Sequence, residues 1–187
     1  MNLRPTLKKI LDDFTDDFTR TAEDSRKEYL QTLGPGAVVP GNGRIYDAQR
    51  RGEFMERTSR RAADAHAAIS RRVDEVKRLM TDPPSTDAVN TITMLANRDN
   101  LTLQDLEFAA ERYGKNYQAY KTLASIGAKK QVRGLGNHPL DDELSALGAM
   151  DKSMARTLSL TEAESRGDSL RSVMSWTKLC VDALPSD

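Results

Sequence analysis

Residues 45–80 read IYDAQRRGEFMERTSRRAADAHAAISRRVDEVKRLM, and this stretch decides the fold class. Within it Ile45, Ala48, Gly52, Met55, Ser59, Ala62, His66, Ile69, Val73, Val76 and Met80 follow one another at alternating steps of three and four. Apolar or small residues at that spacing line one face of an α-helix, and such a seam is worth making only when another helix covers it. The pattern predicts one continuous helix of about 52 Å at the usual rise. It stops at Asp82-Pro83-Pro84, because proline lacks the N–H and clashes with the preceding turn. The first half of the seam is small (Ala48, Gly52, Ser59, Ala62), which predicts that large side chains of a neighbouring helix settle there.

Upstream, a helix is expected from Pro5, a residue suited to a first turn, to Leu33. Its apolar face is Leu7, Leu11, Phe14, Phe18, Ala22, Tyr29 and Leu33. Phe14, Phe18 and Tyr29 are the large residues expected against the small half of the seam. Between the two helices lies Gly34-Pro35-Gly36-Ala37-Val38-Val39-Pro40-Gly41-Asn42-Gly43, a run that cannot be helical. The simplest outcome is a long antiparallel hairpin over residues 1–84. Its seam exceeds what the first helix can cover, so oligomerisation through the long helices is expected, which Ile69→Asp with Val73→Asp should disrupt.

After Pro84 the helices shorten. Ser85 or Thr86 is placed to cap a helix carrying Val89, Ile92 and Leu95. Thr102 with Asp105 approximates a capping box, with Asp in place of the usual Glu or Gln. Further helices are expected over Asn116 to Gly127, along Leu140, Leu144, Leu147, Met150, Met154 and Leu158, and along Leu170, Val173, Met174, Thr177, Cys180, Val181 and Leu184. The loop 131–139 separates two of them. No strand-like alternation persists, so the chain is read as all-α, with residues 85–187 forming a compact bundle.

Charge is balanced overall, 28 basic against 28 acidic residues, but unevenly placed. Arg44 to Met80 holds ten basic and six acidic residues, an excess too small to resemble a strong nucleic-acid binder. Cys180 is the single cysteine, which excludes an intrachain disulfide and suits a reducing cytoplasm. No run is long and apolar enough to span a bilayer, and the N-terminus lacks the apolar core of a signal peptide. Cytoplasmic synthesis without membrane partners is therefore expected.

No catalytic residues, cofactor or metal site are expected. The two histidines, His66 in the seam and His138 in a loop, stand far from each other and from Cys180 in sequence, without zinc-site or Cys-His nucleophile spacing. His66 is read as a packing or register residue, His138 as a surface residue, and Cys180 as packing material. Asp12, Asp13, Asp16 and Asp17 are expected to pair with the doublets Arg50-Arg51, Arg60-Arg61 and Arg71-Arg72, or to be solvated. Neither glycine run carries the Lys-Ser/Thr of a phosphate loop. Ala110-Glu111-Arg112-Tyr113-Gly114 partly mimics the corner of a DNA-binding helix-turn-helix, with Asn116, Gln118 and Lys121 as its readers, but a structural hairpin is the favoured interpretation.

The run Leu101-Thr102-Leu103-Gln104-Asp105-Leu106, then Glu111-Arg112-Tyr113-Gly114-Lys115-Asn116-Tyr117-Gln118-Ala119-Tyr120, behind a long charged helix, resembles small helical proteins of tailed-phage structural gene clusters. Their genes lie beside capsid genes, and scaffolding or head-assembly roles are attributed to them. The resemblance covers mainly Ala88 to Met154, is one of pattern, and transfers no functional residue. It implies a non-enzymatic assembly protein of a bacterial host's cytoplasm that binds itself and a capsid or other virion protein. The alternative is a nucleic-acid-associated protein acting through Arg60, Arg61, Arg71 and Arg72 or through the helical hairpin over 101–124.

Overall fold

Two long helices, α1 (Leu3–Leu33) and α2 (Ala48–Thr81), are followed by α3 (Thr86–Ala96), α4 (Leu103–Tyr113), α5 (Tyr117–Lys129), α6 (Pro139–Ser159) and α7 (Gly167–Asp182). The structure is a computed structural model that describes residues 3–38, 45–132, 134–159, 167–182 and 184, with backbone alone for 167–173. Among the described residues every regular element is helical, so the chain is all-α. Residues 39–43 of the expected interhelical loop, Arg133, and the side chains of Leu170 and Val173 lie outside the described residues. Helix α1 ends at Gly34 and Gly36, whose φ of 85° and 88° place them in the left-handed region that stops a helix.

The chain divides into two compact units, one of residues 1–72 with 146–187 and the other of 73–145. The expected boundary at residue 84 therefore falls inside the second unit, and residues 85–187 do not make a bundle of their own.

The first unit joins α1, most of α2, most of α6 and α7. Arg57 and Arg61 of α2 reach Asp17 of α1. Arg50 pairs with Glu28, and the Ser25 hydroxyl accepts hydrogen bonds from the N–H groups of Tyr46 and Asp47. Numbers that rise on one helix while they fall on the other mark an antiparallel pair. Helix α7 runs antiparallel along the other end of α1, where Lys178 meets Asp12 at 2.7 Å and Arg4 meets Asp182 at 3.3 Å. Leu7, Leu11 and Phe14 of α1 are buried in this unit, as are Met150, Met154, Leu158 and Val181 of α6 and α7. A buried hydroxyl cluster ties the last two: Thr177 Oγ1 lies 2.7 Å from Ser153 Oγ and 2.8 Å from Thr157 Oγ1. The last helix thus returns to α1.

The seam of α2 is corrected in its first half. Ala48, Gly52, Ser59 and His66 are exposed, and Met55 and Ala62 are half-buried. The buried residues there are Phe54, Thr58, Ala65 and Ala68. Phe54 decides the rotation. Its ring sits 5.8 Å from Phe14 and 5.6 Å from Phe18, and burying one phenylalanine outweighs burying Ala48 and a glycine. Tyr29 does not fill the small half either, since it stacks on Tyr46 at 4.7 Å. Ile45, just before the helix, is buried, as are Ile69 and Val76, while Val73 and Met80 are half-buried. Ile69 is thus an inward packing residue, while Val73 keeps part of its side chain at the surface.

The second unit is built on the hydrophobic cluster Ala88, Ile92, Leu95, Leu101, Leu106, Ala109, Ala119, Leu123 and Ile126. Helices α3, α4 and α5 all contribute and all pack on one another. Ser85 caps α3, with Oγ accepting the N–H of Ala88 at 3.2 Å. The Thr102–Asp105 pair forms a complete reciprocal capping box, so aspartate suffices where the longer acid is usual. Close approach of α4 to α5 depends on Gly127, where a Cβ would fall 2.8 Å from a buried Leu106 methyl.

The rotation of α2 has a direct test in chemical denaturation. Gly52→Ala is expected to stabilise the fold by about 0.5–1 kcal/mol, since the site is open and alanine is the better helix former. Phe54→Ala is expected to cost about 3–5 kcal/mol. The opposite order would restore the seam through Gly52.

Candidate functional site

Three concave places hold the side chains with chemistry to offer. The first, in the first unit, is a groove of about 750 Å³ between α1 and the start of α2, lined by Asp17, Arg20, Asp24, Glu28, Arg50, Glu53 and Arg57 among others. At its inner end Asp17 accepts Arg57 Nε at 2.9 Å and Nη2 at 3.1 Å, a bidentate fork, and Arg61 Nη1 at 2.7 Å. Burial pushes the Asp17 carboxyl up, but the hydrogen bonds and charges of the two guanidiniums outweigh it and hold the group below its ordinary range. The same contact raises Arg57. A carboxylate locked in its charged form by two arginines is a strut between helices, poorly suited to take up or give a proton near neutrality.

The expected pairing of aspartates with arginine doublets is met only in part. Asp17 does meet Arg61, but its other partner is Arg57, which stands outside the doublets. Asp12 pairs with Lys178, and Asp13 pairs with Lys9 on its own helix. Arg60 pairs with Glu56 at 2.5 Å, and Arg71 Nε donates to the carbonyl of Ala67. His66 is on the surface of α2, with Nδ1 2.9 Å from Asp151 of α6. Cys180 is half-buried.

The second place, in the second unit, is a hollow lined by Leu79, Asp82, Gly114, Asn116, Tyr120, His138 and neighbouring residues. His138 is not the surface residue expected from its loop. It is 3% exposed, wedged edge-on to Tyr117 and Tyr120 at ring distances of 5.2 and 5.1 Å. Its Nδ1 accepts the N–H of Leu140 at 3.1 Å, leaving Nε2 to donate to the carbonyl of Gly114 at 2.8 Å. The histidine thus closes the first turn of α6 and pins it to the α4–α5 corner, with both ring nitrogens used and the tautomer fixed by its partners.

Beside it, Lys121 Nζ lies 2.8 Å from Asp141 Oδ2, and the Tyr117 hydroxyl donates to Asp141 Oδ1 at 2.9 Å. The hydrogen bond from Lys121 holds Asp141 below its usual range, and the same bond raises Lys121. Burial and the bond to Asp141 raise Tyr117. A tyrosine and lysine four residues apart on one helix invite comparison with acid–base pairs. Here both shifts run away from neutrality, so each group keeps its proton, and the cluster is a clasp between α5 and α6.

The helix-turn-helix candidates are spent in the same way. Asn116 caps α5 by accepting the N–H of Ala119 at 2.9 Å, and its amide donates to the carbonyls of Asp82 and Pro83. Gln118 donates to the carbonyl of Met80 at 2.5 Å. With Lys121 on Asp141, all three expected base readers face their own protein.

The third place is a groove of about 470 Å³ between α3 and α4, lined by Thr91, Met94, Leu95, Arg98, Phe108 and Arg112 among others. Arg98, Asp105 and Arg112 charge its rim, and two large apolar side chains stand open in it, Met94 64% and Phe108 68% exposed. Sequence reasoning missed it because a lone Met and a lone Phe on separate short helices carry no periodic signal. In the first unit, α7 likewise leaves Trp176 and Leu179, one turn apart, 64% and 63% exposed. Among the described residues no group of three His, Cys, Asp or Glu is placed to hold a metal ion, and no helix is long and apolar enough to cross a membrane.

Two substitutions test the structural roles. His138→Ala should lower unfolding free energy by about 2–4 kcal/mol, since it removes two hydrogen bonds and leaves a cavity. Asp17→Asn should cost about 1–3 kcal/mol at neutral pH. Because the folded carboxyl is depressed, the wild-type advantage is complete above the ordinary carboxylate range and fades as pH falls below about 4. Urea titrations at neutral pH and at about pH 3 read both. A deficit of the Asp17→Asn variant that persists unchanged in acid would remove the charge from the explanation.

Compared with protein-family models, with curated proteins and with solved structures, the chain matches none of them.

Proposed function

We propose that this chain is a non-enzymatic assembly protein that works by presenting apolar helix faces to other proteins, and that it serves as a scaffolding or head-assembly factor of a tailed phage in the cytoplasm of a bacterial host. The observation that carries the assembly reading is the pair Trp176 and Leu179 on one face of α7, both about two-thirds exposed. A large aromatic beside a leucine on a helix surface is costly to leave in water and is the kind of residue that anchors protein interfaces. The polar clusters give complementary support, since Asp17, His138, Tyr117, Lys121 and Asp141 are each committed to holding helices together. The phage assignment rests on the resemblance over Ala88 to Met154.

The nucleic-acid alternative has less to draw on. Arg61 is bound to Asp17, Arg60 to Glu56, and Arg71 to a backbone carbonyl. Counterion release also needs a local excess of positive charge, and Arg44 to Met80 holds ten basic against six acidic residues, a small one.

Co-expression of the tagged chain with the products of adjacent genes is expected to yield one co-purifying virion protein, and Trp176→Glu is expected to lose it. No partner among capsid-region products would end the phage assignment. Mixed with duplex or single-stranded nucleic acid at physiological salt, the protein should show negligible binding. Salt-steep binding abolished by Arg60→Glu with Arg71→Glu would put the alternative first.

A further inference from the structure

The groove between α3 and α4 carries a charge arrangement that selects its occupant. The two helices are antiparallel: Arg98, just past the end of α3, meets Asp105 in the first turn of α4 at 2.7 Å, while Arg112 in the last turn of α4 meets Asp87 in the first turn of α3 at 3.1 Å. Four charges therefore mark the corners of the face, with the two arginines on one diagonal and the two aspartates on the other. Between them stand Met94 and Phe108, with Leu95 and Ala109 in the floor. Phe108 is the middle residue of α4, so it projects near the centre of the face.

Such a pattern is complementary to itself. A two-fold axis lying in the face along the helices sets Arg98 opposite Asp105 of the second copy and Arg112 opposite Asp87. A two-fold axis lying in the face across the helices sets Arg98 opposite Asp87 and Asp105 opposite Arg112. Either way every arginine meets an aspartate, and Phe108 of each copy falls close to the other's groove. A partner of uniform charge would meet two repelling corners. Isologous pairing is also the commonest way for a chain to bury a patch of its own. Each guanidinium has five donors, so the bond within the chain survives while a second carboxylate is taken on.

We infer that the α3–α4 face is a homodimerisation site, in which Phe108 of each copy inserts between Met94 and Phe108 of the other. The inference rests on the assembly reading and names one partner within it, a second copy of this chain. The face spans only two eleven-residue helices, about 16 Å long, which is small for a permanent interface and suits reversible association.

Sedimentation of the full chain from about 1 µM to about 1 mM tests it, with an expected monomer–dimer equilibrium in the upper part of that range. Phe108→Glu should weaken the dimer at least about tenfold. Arg98→Glu with Arg112→Glu, which makes all four corners acidic, should do the same, and Trp176→Glu should leave dimerisation unchanged. All three variants change exposed side chains, and circular dichroism with thermal melting establishes that each remains folded. A strict monomer throughout, or self-association indifferent to Phe108→Glu, would overturn the site. The assembly reading stands apart from that result: it is tested by capture of a partner protein on the wild-type chain, and capture that persists in Phe108→Glu leaves it standing without the dimer.

Discussion

Everything in the first unit follows from the need to cover one stripe of α1 along its whole length. Leu7, Leu11, Phe14 and Ala22 are shared between partners: α2 meets α1 from Phe14 to Glu28, through Phe54, Arg57, Arg61 and Arg50. The remainder of the stripe is covered by α7, which lies more than 150 residues away in sequence and is aligned by Asp12–Lys178 and Arg4–Asp182. Exposed pairs of this kind contribute little to stability. Their value is to choose the register in which the apolar residues already have to pack.

That division of labour explains what the sequence could and could not reveal. Helix positions and ends were legible, since Pro83-Pro84, Ser85, Thr102 and Gly34 act on the backbone next to them. The face of α2 was not. A three-four ladder of small residues at Ala48, Gly52 and Ser59 satisfied the periodicity as well as the true stripe, which passes through Phe54, Thr58, Ala65 and Ala68. Periodicity counts positions, while packing weighs volumes, and Phe54 outweighs three small residues. The return of α7 to α1 was likewise invisible, because an amphipathic helix announces that it needs a partner without saying which. His138 was misplaced for a related reason. A glycine-rich loop predicts exposure, but the ring is drawn inward by a carbonyl and an amide that lie on either side of it in the sequence, at Gly114 and Leu140.

Five groups of the helix junctions share one character. Asp17, Asp105, Asp141, Lys121 and Tyr117 are all displaced toward the form they already hold at neutral pH. Asp105 is held low first by the Thr102 hydroxyl and backbone of its capping box. Catalytic sites place groups in tension, with proton affinities pulled toward the working pH. At these five positions the surroundings instead reinforce the protonation state that already prevails at neutral pH.

The exposed Trp176 has a practical consequence. It is the single tryptophan of the chain, and it stands in water on the folded protein. Its fluorescence will therefore change little when the core melts, and a denaturation followed by that signal would look nearly featureless while the helices unfold. The same indole becomes a sensitive optical reporter when another protein covers α7, because its emission shifts to the blue as water is excluded. The molecule thus carries a probe blind to its own folding and responsive to any protein that docks on α7.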